Sequence, residues 1–258
     1  MTEKRMFTEA EELERVWDKE NITDLIYRRA HYISANKRAE AIAKLWVSKP
    51  DNIRTASYGN NIGYFVGIEE IKRHCAEYEQ TLFERLRPYS DARPDIAFDK
   101  VNLGYGAMNI FSCSTPLVFV AENGMTAKLL ATQYGNHAVG RPDGTGDVFM
   151  TFGLVFADFL KEDGVWKIWH LIDCHDYSLP AGKNACDLPM RPTAAEDPII
   201  AEFGKPTIDR TVYDALFGWE YVYFDMPKEY YAYDERFGYG PNGCMGLKYF
   251  ERPGGIRE

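Results

Sequence analysis

The chain has 258 residues, enough to bury a sizeable core as one large domain or as one domain with a long appendage. Hydrophobic residues make up 45% and charged residues 27%, and 30 basic against 39 acidic side chains give a net charge of −9. No basic tract offsets that charge, which argues against a nucleic-acid partner. The acidic opening MTEKRMFTEAEELERVW has no apolar run of the secretory kind, and no stretch is long and apolar enough for a bilayer span. A cytoplasmic protein without a membrane partner is therefore expected. Cys75, Cys113, Cys174, Cys186 and Cys244 are odd in number and scattered, so reduced thiols are the plainest reading.

Along the chain, residues 9–35 read as a helix whose broken apolar stripe is Leu13, Val16, Trp17, Ile22, Leu25, Ile26 and Ile33. A second helix is predicted over Ala39–Trp46, ended by Lys49-Pro50-Asp51-Asn52. Ile53–Tyr58 reads as a strand entering a hairpin at Gly59-Asn60-Asn61. Gly67-Ile68-Glu69-Glu70 opens a third helix running to about Arg87, and Pro88 and Pro94 frame a connector. Strands follow over Pro116–Ala121, Met125–Gly135, Phe149–Leu160 and Val165–Asp173, with Asn123-Gly124 as a hairpin turn. Helices first and long strands afterwards point to an α+β fold rather than alternating βαβ units. From Leu179 the chain changes character. Pro180, Pro189, Pro192, Pro198 and Pro206 punctuate it, and Tyr213–Tyr249 holds eight of the seventeen tyrosines. The expected division is a domain over 1–177 and an aromatic extension over 178–258. That extension is too aromatic to be left in water, and would cover the core, the mouth of a pocket or a neighbouring subunit.

Several side chains can carry chemistry. Asp24, Tyr27 and His31 are spaced three and four apart, on one helical stripe. A histidine exchanges protons near neutral pH, and a tyrosine donates a hydrogen bond to developing oxyanion charge. The competing reading of this stripe is a solvated face or subunit contact, with Asp24 paired to Arg28. In the last strand, Trp166, Ile168, His170 and Ile172 alternate with Lys167, Trp169, Leu171 and Asp173. His170 would then lie beside an aromatic wall as a catalytic imidazole, or else as a hydrogen-bonded core histidine. Asp173 has the opposite parity, so using it together with His170 requires a bulge, a terminal twist or a different subunit surface. His175 and Asp176 are placed just beyond the strand. Tyr134, Asn136 and His137 are read as the end of a long strand, with Tyr134 and His137 as ligand contacts. Trp166 is a further substrate contact, or else seals the core. His74 reads as a surface or packing residue. The run His170–Asp176 lacks a recognised metal spacing, so no metal is expected. No dinucleotide fingerprint, nucleophile elbow or phosphate loop is present, and cofactor-free chemistry fits the inventory.

Three segments taken together resemble the SnoaL-like branch of the superfamily that includes nuclear transport factor two, scytalone dehydratase, ketosteroid isomerase and lignin-derived diarylpropane lyases. They are Asp18–Leu25 leading into Arg29-Ala30-His31-Tyr32, then Tyr64–Ile71, then Phe159–His170. The resemblance covers about residues 9–177 and implies a cone, with helices closing one side of a strongly bent antiparallel sheet around an apolar cavity. The first-helix position held by a pocket aspartate in scytalone dehydratase reads His31 here. The histidine that many members carry before the first long hairpin strand is replaced by Asn109-Ile110-Phe111-Ser112-Cys113. His31 and His170 are left as the principal candidates, with Tyr27 and Asp24 in support.

The expected function is a cofactor-independent lyase or isomerase acting on a hydrophobic hydroxylated aromatic or polycyclic substrate. Dehydration, isomerisation and formaldehyde-releasing carbon–carbon cleavage are the outcomes that the resemblance implies. The alternative is a noncatalytic small-molecule-binding or protein-interaction domain, because the fold alone does not establish catalysis. A homo-oligomer, dimer rather than trimer, is expected from an exposed curved sheet and an aromatic tail.

Overall fold

The computed structural model describes residues 6–60, 63–77, 87, 91, 108–140, 146–180, 206–209 and 227–243. Helix α1 (Glu9–Ser34) starts at a capping box. The Thr8 hydroxyl accepts from the Glu11 amide at 3.3 Å, and the Glu11 carboxylate accepts from the Thr8 amide at 2.8 Å. Its buried row is Asp18, Ile22, Ile26, Arg29, Ala30 and Ile33. Burial of Ile22 and Ile26 contributes about 2 kcal/mol each. Leu13, Val16 and Trp17, expected in that stripe, are exposed instead. The first half of α1 is tied down by Arg15, which donates to the carbonyls of Ala121 and Val120, rather than by apolar packing.

Helix α2 (Arg38–Leu45) buries Ala41, Ile42 and Leu45. The expected strand over Ile53–Tyr58 is in fact helix α3 (Pro50–Thr55) followed by strand β1 (Ser57–Asn60). Pro50 occupies the first turn, where no amide is needed. The orphan donors around it are met by the Glu162 carboxylate, which accepts from Ser48 N (2.9 Å), Ser48 Oγ (2.9 Å), Lys49 N (3.2 Å) and Asn52 Nδ2 (2.7 Å). Strand β2 (Gly63–Val66) returns against β1, and helix α4 covers residues 68–77. Its expected continuation towards Arg87 and the proline-framed connector fall largely outside the described residues.

Four long strands follow: β3 (Met108–Val120), β4 (Thr126–Gly140), β5 (Gly146–Glu162) and β6 (Val165–Pro180). All four are longer than the apolar runs alone suggested. His137 therefore lies within β4, and His175 and Asp176 lie within β6. The β5–β6 hairpin turns at Asp163-Gly164, both at positive φ (50° and 80°). With the short β7 (Ile208–Asp209), the sheet order is β3-β4-β5-β6-β1-β2-β7. Every pairing is antiparallel except β1 with β6. The fold is α+β, with α1 packed on β3 and β6. No described helix is long and apolar enough to cross a membrane.

The two faces of the sheet bury different things. Ala127, Leu129, Ala131, Val155, Ala157, Phe159, Trp166, Ile168 and Leu171 form the core with Ile22, Ile26, Ile42 and Leu45 of the helices. On the outer face, Tyr64, Phe156 and Ile172 pack with Tyr239 of the C-terminal region.

The register along β5–β6 slips between Asp158/His170 and Phe159/Ile168, leaving Trp169 as an extra residue. Such a bulge reverses the facing of everything beyond it. Trp166 and Ile168 face the helices, and beyond Trp169 so do Leu171 and Asp173. His170 and Ile172 face outward. The expectation that His170 shares a face with Trp166 and Ile168 is overturned by this one residue.

Of the extension, residues 178–180, 206–209 and 227–243 are described; the first three end β6, and the other two segments lie on the chain's own sheet. Glu122 N donates to Tyr230 O (2.9 Å) and Asn123 N to Tyr231 O (3.1 Å). Most of the tyrosine-rich stretch falls outside the described residues.

Candidate active site

The inner face of the sheet carries a buried charged cluster built from α1, β1 and β6. Arg29 follows Ile26 by three residues and precedes Ile33 by four, so helical geometry turns it inward with them. Its guanidinium donates through Nη2 to Asp173 Oδ2, and both side chains are buried. Tyr58 Oη donates to the same carboxylate oxygen at 2.9 Å. Burial alone would lower the Arg29 pKa, but the charge of Asp173, aided by Tyr58 and Cys113, outweighs it and the pKa is raised. Tyr58 is pushed well above its usual value by burial and then by the neighbouring carboxylate, with Arg29 opposing. It stays a phenol and hence a donor. Cys113 of β3, within electrostatic reach of Arg29 and Asp173, is pushed up to about 11, chiefly by burial, and is a thiol rather than a nucleophilic thiolate.

Two atoms of the ion pair remain without a protein partner: Arg29 Nη1 and Asp173 Oδ1. Gln133, the cross-strand partner of Cys113, is also buried, and neither its Oε1 nor its Nε2 has a hydrogen-bond partner. His74 of α4 lies flat on Phe65 (centroids 3.9 Å apart, 11° between planes) and 5.7 Å from the Tyr58 ring. Its Nε2 meets Asn60 Nδ2 at 3.2 Å, while Nδ1 is buried and unpartnered. Burial, then the charges of Arg38 and Arg73, lower its pKa to about 4, so the ring is neutral at physiological pH. Buried polar atoms are nearly always paired, and several orphans on one face mark a place where a ligand would meet them.

The residues singled out by spacing do not converge here. Asp24, Tyr27 and His31 do share a stripe, but it is the exposed stripe of α1. Asp24 is bonded to Arg28 at 2.7 Å, Tyr27 is 39% exposed and His31 is exposed. Since 22, 26, 29 and 33 face inward, 24, 27, 28 and 31 must face outward.

His170 is buried on the outer face. Its Nδ1 lies 2.8 Å from Ser57 Oγ, and Trp169 and Tyr233 pack beside its ring. Trp166 belongs to the core, and its Nε1 donates to Asp18 Oδ1 at 2.7 Å. Tyr134 is 46% exposed, opposite Ser112 and Phe152. His137 pairs with Asn109 and Phe149 through the backbone register, and its side chain lies outside the described residues, as do those of His175 and Asp176. Among the described residues, no group of histidine, cysteine and carboxylate side chains could hold a metal ion.

Arg29, Tyr58 and Gln133 are not among the candidates that the sequence singles out, whereas Asp173 enters there only as a partner of His170 across a bulge and His74 chiefly as a surface or packing residue. Arg29 carried a signal, its place in the Ile22–Ile26–Ile33 row. Asp173 was hidden by the bulge, and Gln133 looked like any polar strand residue.

The family model for the SnoaL-like domain matches residues 14–172. No curated protein matches the chain. Among solved structures, a hexachlorocyclohexane dehydrochlorinase, LinA-type3, from Novosphingobium barchaimii LL02 is 15% identical, with 69% of this chain and 99% of that one covered and a TM-score of 0.46. An NTF2-like protein with a cystatin-like fold from Novosphingobium aromaticivorans is 17% identical, with 68% and 90% covered and a TM-score of 0.42. An NTF2-like superfamily protein from Salmonella enterica serovar Typhimurium is 15% identical, with 64% and 92% covered and a TM-score of 0.40. The matched segment, 14–172, runs from α1 through the ion-paired Arg29 almost to Asp173, and the chain belongs to the SnoaL-like domain family.

Proposed function

We propose that the protein is a cofactor-independent lyase or isomerase that moves a proton on a hydrophobic, hydroxylated substrate bound against the Arg29–Tyr58–Asp173 cluster. The observation that carries this reading is a buried, charge-balanced pair with one donor and one acceptor still unpartnered. Asp173 Oδ1 is the proton acceptor. Its other oxygen is held by Arg29 and Tyr58, which fix the carboxylate in place. Arg29 Nη1 supplies a fixed positive donor for negative charge developing on a substrate oxygen, in a dry setting where such a donor counts most. Elimination of water, migration of a double bond and retro-aldol release of formaldehyde all need this pairing of acceptor and oxyanion donor.

Mass spectrometry of the protein incubated with hydroxylated aromatic, diarylpropane and polycyclic compounds tests the reading. Product formation is expected as loss of water, loss of formaldehyde, or an isomer of unchanged mass. Asp173→Asn, with folding checked by circular dichroism, should abolish the product, and Tyr58→Phe should reduce turnover by about tenfold to a hundredfold. Replacing the exposed His31 by alanine should leave turnover unchanged. Full turnover by Asp173→Asn would overturn the assignment.

A noncatalytic ligand-binding role is the second reading. It is favoured by the lack, on the described inner face, of a histidine that titrates near neutrality, since His74 is driven to about 4. Retention of a compound with no change in mass would select it.

A further inference from the structure

We infer that Gln133 is a ligand-binding residue, and that with Arg29 and Asp173 it selects an uncharged ligand carrying two hydroxyl groups. The inference rests on the inner-face cluster being the substrate site. Gln133 continues the inward row Ala127, Leu129 and Ala131 of β4 and is 2% exposed. Its Cβ is a cross-strand neighbour of Cys113, about 5 Å away by strand geometry. Cys113 in turn lies within electrostatic reach of both Arg29 and Asp173. On β5 the residue opposite Gln133 is Gly153, which brings no side chain over the amide. A carboxamide with both ends unmet is costly to bury, so its retention among alanines and aliphatics needs a partner.

The orphan atoms define that partner's chemistry. Arg29 Nη1 and Gln133 Nε2 are donors that need acceptors, whereas Asp173 Oδ1 and Gln133 Oε1 are acceptors that need donors. A carboxylate, phosphate or sulfate offers acceptors only, and would set lone pairs against Asp173 Oδ1 and Gln133 Oε1. An ammonium offers donors only, and would face Arg29. A hydroxyl both donates and accepts, so two hydroxyls meet all four atoms. Charge agrees: Arg29 and Asp173 cancel, and His74 is neutral, so the cluster gives no net attraction to an ion.

The test is binding, read by calorimetry and ligand-observed NMR on the full chain at millimolar probe concentration. The probes are 1-phenylethane-1,2-diol, mandelate and 2-phenylethylamine, which share a ring and a two-carbon arm. The diol should bind at least about tenfold more tightly than either ion, the difference expected for mispaired buried hydrogen bonds. Gln133→Met, of similar shape, should weaken diol binding by about tenfold or more, with Tm unchanged or raised because an unmet amide is gone.

Equal or weaker binding of the diol, including no binding by any probe, overturns the inference. So does unchanged diol affinity in Gln133→Met, which would assign the amide to buried water. A fall in Tm in that variant would show that the amide serves the fold, and also counts against it. Product formation is not read. In the separate mass-spectrometry screen, absence of any product alongside a diol preference here would sink the lyase reading and keep this one, whereas product formation with no preference for the diol would do the reverse.

Discussion

At the scale of single residues, two imidazoles are stored neutral on opposite faces of one sheet. His74 is held at about 4 by burial and by Arg38 and Arg73. His170 is held at about 4 by burial, with Asp158 and Glu235 pulling upward and Lys128 pushing downward. An unfolded chain protonates both near their ordinary 6.5. Below that value the unfolded state binds more protons than the native one, so stability is fully present above pH 6.5 and lost as pH falls towards 4. Over that whole window each imidazole accounts for a loss on the order of 3 kcal/mol. Urea midpoints should drop clearly between about pH 7 and about pH 5. His170→Gln should flatten the drop, and a midpoint independent of pH would show that neither ring is held neutral by the fold. How legible such residues were depended on periodicity. Arg29 could be read from its helical row, since 3.6-residue spacing is not altered by distant contacts. His74 could not, because its burial comes from Phe65 and Tyr58, on a hairpin that joins the sheet through β6, far along the chain.

At the scale of elements, the helices and the β5–β6 hairpin were legible because their signals are local. Residues 9–35 anticipated α1 within a residue at each end, and Asp163-Gly164 can adopt the positive φ that its turn requires. Two features were not local. One is the extra residue at Trp169, which moves Asp173 to the inner face and His170 to the outer one. Nothing in an alternating run of apolar and polar residues records a bulge, because the strand is buried on both faces beyond it. The other is α3, a six-residue helix too short to stand on propensity. It exists because Glu162, more than a hundred residues later, accepts four hydrogen bonds from its entry. Burial would raise the Glu162 pKa, but the bonds from Asn52, Ser48 and Lys49 outweigh it and hold the carboxylate below its usual value. Glu162→Ala should therefore cost about 2 kcal/mol at neutral pH. The penalty should shrink in acid, as the wild-type carboxylate takes up its proton. Hydrogen exchange should speed first in 50–55, and an equal response across all helices would argue that Glu162 supports the whole fold rather than α3.

At the scale of the whole molecule, the outer face is closed by the chain's own C-terminal region through a buried lysine. Lys128 Nζ donates to Asp158 Oδ1 (2.9 Å) and to the Phe237 carbonyl (2.6 Å). It lies 4.6, 5.5 and 5.7 Å from the ring centroids of Tyr239, Tyr233 and Tyr230. Asp158 Oδ2 accepts from the Tyr239 amide at 2.6 Å, so one ion pair fastens both the backbone and the rings of 230–239. Surrounding aromatic faces favour the cation where water is excluded. Close approach is also required at Gly240, where a Cβ would come within 3.1 Å of the His170 ring. These contacts make the neutrality of His170 a reporter of the docked region. A chain ending at residue 226 would leave His170 without Tyr233 and Gly240 and return water to Lys128 and Asp158. Its imidazole should then titrate closer to 6.5 than to the native value of about 4, as followed by the ring-proton shifts in NMR. Gly240→Val should act in the same direction by prising the region away, while Lys128→Met, which strands Asp158 as a buried unpaired charge, should cost about 3–5 kcal/mol. If His170 kept its low pKa in the shortened chain, Ser57, Trp169 and the sheet alone would account for its burial, and the C-terminal region would lie on the outer face without sealing it.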